Sequence, residues 1–263
     1  MPHGSMLLRV GFVGLTGVLA LGFVTAVFWA AARSGRSPMA VRHVTSWAAM
    51  GAALWIAATG GAAAAGLLRF SPFPPTMALL FAAIGLGAIG LGVSPLGRLL
   101  SRALPLSVLV GSQAFRVVVE LLMHRAYEEG LMPVQMSYAG YNWDILSGVS
   151  AAVLGMILAI RRLPRWVVAT WNVMGLLLLV NVLTIAMLSA PTPLRLFHNE
   201  PANVWITAMP WVWLPAVMVF GALLGHVLVF RRLRASRLNE LRPPCCQTDP
   251  GDGSTVPVVK RDR

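Results

Sequence analysis

Seven stretches of this sequence are apolar for long enough to cross a lipid bilayer, and no other property restricts its fold as strongly. A hydrocarbon core of about 30 Å needs roughly 20 apolar residues in helical form. The stretches run from Leu7 to Ala32, Val44 to Leu68, Pro75 to Val93, Leu106 to Tyr127, Trp143 to Ile160, Trp166 to Leu188 and Val204 to Phe230. In hydrocarbon, backbone N–H and C=O groups must bond within their own segment, so such runs become helices. Composition agrees: only 11% of residues are charged, against about 25% in a soluble domain. The first stretch has a secretory look, with Arg9 near its start and Ala30-Ala31-Ala32 at its end. Its apolar run exceeds the roughly 7 to 15 residues of a signal peptide, so it reads as a retained span. The expected fold is an all-α membrane protein, a seven-transmembrane-helix bundle over residues 1–232 with a disordered basic tail over 233–263.

Basic residues orient the bundle. One set of connections holds Arg33, Arg36 and Arg42, then Arg98 and Arg102, then Arg161, Arg162 and Arg165, and leads into the tail at Arg231-Arg232. The alternate set holds only Arg9, Arg69, Arg125 and Arg195. Under the positive-inside rule the first set is cytoplasmic, the N-terminus lies outside and the C-terminus inside. A bacterial inner membrane fits this pattern. The five acidic residues before the tail, Glu120, Glu128, Glu129, Asp144 and Glu200, all fall toward the outer side. A polar feature is therefore expected there.

The net charge of +12 invites a nucleic-acid reading, but no nucleic-acid-binding motif accompanies it, and charge alone is only an electrostatic footprint. Cys245 and Cys246 are adjacent and lie in the tail, where they cannot staple the fold and have no further metal ligands nearby. Phosphate-binding glycine loops, a G-x-S-x-G elbow and a Cys-x-x-Cys-His haem motif are absent. The cofactor is left open; His198 and Glu200, with His124 and Asp144, offer N and O ligands of the kind zinc takes, but no compact metal-ligand motif such as HExxH is present. The expected partner is the bilayer, with a small anionic or lipid-derived ligand.

The most specific signal lies in the fourth stretch, where Gln113, Arg116, Glu120, His124 and Tyr127 recur at spacings of three and four. These positions share one stripe of a helix. An arginine near the bilayer centre costs several kcal/mol unless paired, and Glu120, one turn on, is its expected partner. The stripe reads in two ways. It is a buried ion pair that fixes helix packing, or the wall of an outward-opening cavity in which Arg116 holds an anionic group while Glu120 or His124 moves a proton.

Other polar residues sit near the same side. Asn142 and Asp144 open the fifth stretch and suit a helix N-cap, or Asp144 faces the stripe as a second acid. Asn172, Asn181 and Thr184 in the sixth stretch read as interhelical glue, with Asn181 near enough to the outer side to line a site. His198 and Glu200 lie in the following loop, and Trp205, Trp211 and Trp213 read as interfacial anchors. His226 falls near the cytoplasmic end of the last stretch, too far along to join the cluster. Pro210 and Pro215 are expected to kink that stretch.

Four segments together resemble a group of bacterial multi-pass membrane proteins with no assigned activity. They are Phe115-Arg116 with Val119-Glu120, the run from Met136 to Gly148 containing Asn142-Trp143-Asp144-Ile145-Leu146, Ser189-Ala190-Pro191-Thr192-Pro193, and Pro210 to Pro215. The likeness spans about Phe115 to Arg232. This chain carries Val117-Val118 where the group commonly has Ile-Pro, and Ala139 where it commonly has Glu. The resemblance implies positions to test and no activity.

Three functional classes follow. The first is binding or transport of a small anionic or lipid-derived molecule at an outer-leaflet cluster of Arg116, Glu120, Gln113, Asn142, Asp144, Asn181 and His198. The second is a membrane-embedded enzyme on a lipid or isoprenoid-like substrate, with Glu120, Asp144 or His124 as general acid/base. The third is a non-catalytic assembly subunit.

Overall fold

The computed structural model describes residues 4–71 and 75–240, with side chains to residue 235. Helices α1 (Met6–Ala32), α2 (Pro38–Ala64) and α3 (Thr76–Val93) are followed by a short α4 (Pro95–Ala103). Next, α5 (Leu106–Gly111) runs through a 3-10 turn into α6 (Phe115–Glu128). The remaining helices are α7 (Ile145–Ile160), α8 (Arg165–Leu188) and α9 (Phe220–Glu240), the last entered through a π-helical turn at Leu214–Val219. Six helical stretches are long and apolar enough to cross a membrane, counting α5–α6 and the π turn with α9 as one each; α7 is a shorter apolar helix of 16 residues. The outward faces are apolar as well, with Leu86 74% and Ile160 84% exposed, the surface a bilayer solvates and water does not. The chain is a multi-pass membrane protein.

Three stretches differ from the sequence expectation. The second helix starts at Pro38, six residues before Val44, because Ser37 caps it and Pro38 occupies its first turn. Arg42 and His43 thus lie inside the helix. The connection holding Arg98 and Arg102 is α4, capped by Ser94, whose Oγ accepts from the Gly97 N–H at 3.2 Å. The last stretch is displaced most: the helical course begins at Leu214, and the segment before it is irregular apart from a 3-10 turn at Trp205–Thr207. Pro210 has no N–H to donate to a helix there, and Trp205 and Trp211 turn inward, edge-on to Phe12 at 5.8 and 5.3 Å. Both indoles are 4% exposed, so they are core residues, and the expectation of interfacial anchors fails for them.

Arginine side chains tie one end of the bundle together by donating to backbone carbonyls of neighbouring helices and turns, among them those of Gly92 and Arg102 in last helical turns. Arg231 donates to the carbonyls of Gly92 and Ser94 (2.6 and 3.0 Å), Arg232 to that of Arg102 (2.8 Å), and Arg165 to that of Leu233. At the opposite, acidic end, Glu129 accepts from the Ser5 N–H (2.7 Å), the Ser5 hydroxyl (2.6 Å) and Arg125 Nε (2.9 Å). Two apolar cores lie between these ends. One gathers Phe12, Met132, Trp205 and Trp211, the other Val27, Leu109, Leu154 and Leu228.

Helix α7 lies backbone to backbone against α5–α6. A Cβ on Gly155 would lie 2.7 Å from Gly111 Cα, and one on Gly148 would lie 2.7 Å from the Val117 nitrogen. These contacts run in opposite sequence order along the two helices, so α7 is antiparallel to α5–α6. Small residues at such crossings let backbones meet without a hydrophobic drive. Gly155→Val is expected to lower stability by about 1–3 kcal/mol through overpacking. Gly14→Ala, which meets nothing within 4 Å, should leave stability unchanged or slightly raised. Thermal midpoints in detergent test this, and equal midpoints for the two variants would refute the close packing.

The acidic-end clamp should respond to pH. Burial works against charging Glu129, but the bonds from Ser5 and Arg125 outweigh it and hold its pKa below the usual 4.5. Its contribution is therefore present above the unfolded pKa and lost as pH falls through the lower folded value. Protection factors for hydrogen exchange at the start of α1, taken relative to intrinsic exchange at each pH, should fall below about pH 4 in the wild type. In Glu129→Gln they should be low at all pH values.

Candidate functional site

Along α5–α6 the predicted stripe is present, and its inner members Gln113, Arg116 and Glu120 are buried, at 1–2% exposure. Arg116 pairs with Asp144 and not with Glu120. Its Nε donates to Asp144 Oδ2 at 2.7 Å, and its Nη2 bonds Asp144 Oδ1. Asp144 holds the N-cap position of α7, yet its side chain makes no capping bond. It turns to the guanidinium because a planar fork matches a carboxylate in two bonds, which an (i, i+4) neighbour on the same helix does not offer here. Ser147 Oγ donates to the same Asp144 Oδ1 at 3.2 Å.

The remaining donors of Arg116 reach two further helices. Nη2 donates to the carbonyl of Gly175 on α8 at 3.2 Å, and Nη1 lies 2.9 Å from His226 Nε2 on α9. His226 Nδ1 is 2.8 Å from Asn172 Oδ1, while Asn172 Nδ2 donates to the His226 carbonyl at 3.1 Å. With the amide oriented by that second bond, Nδ1 carries the proton and Nε2 accepts from Arg116, a neutral imidazole. His226 therefore belongs to the cluster, contrary to the sequence expectation. Its helix begins ten residues later than the expected span, which moves His226 toward mid-bundle. Gly175 makes room, since a Cβ there would sit 2.7 Å from His226 Cε1.

Glu120 occupies the other side. Asn142 Nδ2 donates to both of its oxygens, at 2.9 and 2.8 Å, and to the Met136 carbonyl at 2.9 Å. Asn142 Oδ1 accepts from the Asp144 N–H at 3.1 Å, so one residue positions both acids. Among the described residues Glu120 has no basic partner within salt-bridge distance. Beside it lies a cavity of about 50 Å³, lined at its polar side by Arg116, Glu120 and Asp144 and otherwise by residues such as Phe115, Met123, Leu179 and Met218. One water needs roughly 10–15 Å³ by this measure, so a few small groups fit. Leu214, Pro215 and Val219 of the π turn also line it, and π-helical turns recur at functional sites.

The structure leaves other predicted residues outside this cluster. His124 stacks on Tyr138 at 4.2 Å and lies 3.8 Å from Glu128. Asn181 donates to the Tyr141 carbonyl at 2.9 Å. His198 is exposed in a loop, and Gln113 lines a different cavity. Among the described residues no three His, Asp or Glu side chains converge as a metal site requires. Cys245 and Cys246 and most of the predicted tail lie outside the described residues.

Residues 72–234 match the model of a family described as a domain of unknown function, DUF8737. No curated protein and no solved structure matches the chain. The matched span contains every member of the cluster.

Removing one partner of a buried pair strands the other charge, at about 3–5 kcal/mol. Asp144→Leu and Arg116→Met should each lower folded yield and thermal midpoint sharply, and the double variant should recover much of the loss. A double variant as unstable as the sum of the singles would show that the two residues do not act as a pair.

Proposed function

The chain belongs to the DUF8737 family, whose function is unknown, and we propose that it binds a small lipid-derived molecule inside the membrane, with Glu120 meeting the ligand's polar end. The observation that carries this reading is a buried carboxyl at the polar side of an otherwise apolar cavity, held by Asn142 and lacking a basic partner among the described residues. Asp144 takes the cluster's one guanidinium and His226 is neutral, so ionised Glu120 leaves one negative charge uncompensated. In a low-dielectric interior such a charge is costly, and a hydroxyl or ammonium group on the ligand offsets it. An anionic ligand would have to displace Asp144 from Arg116. The charge balance therefore favours a donor or cation.

The same geometry supports an enzyme reading confined to Glu120. A general acid or base must face a substrate cavity; Glu120 does so without a basic partner among the described residues, while Asp144 is engaged by Arg116.

Our topological reading has seven crossings in a bacterial inner membrane, N-terminus outside and C-terminus cytoplasmic. The antiparallel course of α7 along α5–α6 supports α7 as the seventh crossing, although its 16 residues extend only about 24 Å. The arginines gathered at one end of the bundle support the orientation.

Native mass spectrometry of the full chain extracted from its host membrane tests the function. The wild type should carry a small organic ligand, and Glu120→Gln should lower its occupancy by roughly ten- to a hundredfold, the loss expected for a charged hydrogen bond. Ala222→Phe, which fills the cavity, should remove it. A ligand-free wild type, or Glu120→Gln loaded like the wild type, rejects the proposal.

A further inference from the structure

A second cavity, separate from the Glu120 site, occupies the arginine-rich half of the bundle. It has a volume of about 930 Å³ and lies among α1, α2, α4, α5 and α9, at the upper end of the roughly 300–1,000 Å³ typical of ligand pockets. Its walls are apolar, from Phe23 and Trp47 to Leu99, Leu109 and Leu228. The chamber persists because α2 packs chiefly on α1 and joins the rest of the bundle through its second half. There Trp55 Nε1 donates to the Ala216 carbonyl at 2.7 Å, and Trp213 Nε1 to the Ile56 carbonyl at 3.2 Å. The first half of α2 stands away from α4 and α5.

The two ends of the chamber differ. Gln113 lines one end, and its Oε1 is buried without a hydrogen-bond partner among the described residues. Arg36 lines the other end and is exposed. Leu96, Leu99 and Leu100 of α4 form part of the wall, while Arg98 and Arg102 of the same helix are exposed. This is the pattern of a helix lying in the membrane interface. No Asp or Glu side chain opposes these arginines among the described residues. The rim is positive and the interior apolar.

We propose that this chamber binds an anionic phospholipid from the arginine-side leaflet, one acyl chain inside it and the phosphate at Arg36. Basic residues at a membrane surface attract anionic headgroups at about 1 kcal/mol each, which corresponds to about a fivefold preference per arginine. Gly22 on α1 and Gly51 on α2 both line the chamber, and a Cβ on either meets nothing within 4 Å. A large side chain can enter the chamber from these positions without displacing the backbone.

The experiment uses the full chain in nanodiscs of phosphatidylglycerol, phosphatidylcholine or their mixture, followed by detergent extraction and native mass spectrometry. The wild type should retain one phosphatidylglycerol in preference to phosphatidylcholine. Arg36→Gln should lower that preference about fivefold. Gly51→Phe should abolish retention with unchanged helical circular dichroism, and Gly22→Phe provides the same test should Gly51→Phe not fold. Equal retention of phosphatidylcholine, retention in both glycine variants, or displacement of the phospholipid by an added isoprenoid phosphate would overturn the proposal. A phospholipid adduct differs in mass from the small ligand of the Glu120 site, so failure of either proposal is seen separately.

Discussion

A guanidinium that is 2% exposed inside an apolar helical bundle is the constraint on which the rest of the structure turns. Arg116 cannot leave its charge unopposed in a membrane interior, and its donors reach α7 through Asp144, α8 through Gly175 and α9 through His226. Each contact requires a local concession. The N-cap of α7 lies at depth with an uncapping aspartate, α8 carries a glycine where a side chain would collide, and α9 carries a histidine fixed in one tautomer by Asn172. Four helices are thereby held in one register. The Arg116–Asp144 pair thus meets the demand that the buried guanidinium makes on its surroundings.

The loop between α6 and α7 makes this arrangement possible. It returns into the protein, so Asn142 and Asp144 are buried, at 0% and 5% exposure. Non-helical backbone is tolerated at depth when protein surrounds it, and here Asn142 bonds the Met136 carbonyl, Glu120 and the Asp144 N–H. Elsewhere in the loop Gln135 bonds Ser189 and Asn199 at 2.8 and 2.7 Å, so its buried amide is satisfied as well. Two cavities flank this region, a small one bearing Glu120 and a large apolar one, and Phe115 lines both. Placed beside Arg116 in sequence, Phe115 is held by the same anchored helix that carries the polar stripe.

Much of this was legible in residue order. Apolar runs marked the long helices, because hydrocarbon length requirements leave few alternatives. The three-and-four spacing of Gln113, Arg116 and Glu120 placed them on one buried face. Asn142 and Asp144 stood out as polar residues at the head of an apolar helix. The identity of the partners was less accessible. Glu120 is the nearest acid to Arg116 along the helix, yet Asp144, 28 residues away, takes the bidentate geometry. His226 reads as lying near the cytoplasmic end because the apolar run reaches back to Val204 and Arg231-Arg232 follow it, whereas the helical course begins only at Leu214.

The sequence by itself determined that this chain is an all-helical membrane protein with its positive charge gathered in alternate connections and a polar stripe on one helix. Those properties follow from local composition and period, which the bilayer reads directly. Only the tertiary structure decided which acid neutralises Arg116, that His226 and Asn172 extend the cluster, and that Glu120 faces a cavity without a basic partner among the described residues. Pairing inside a bundle depends on where helices begin, how they cross and which loops fold inward. Those are consequences of packing that no single helix encodes.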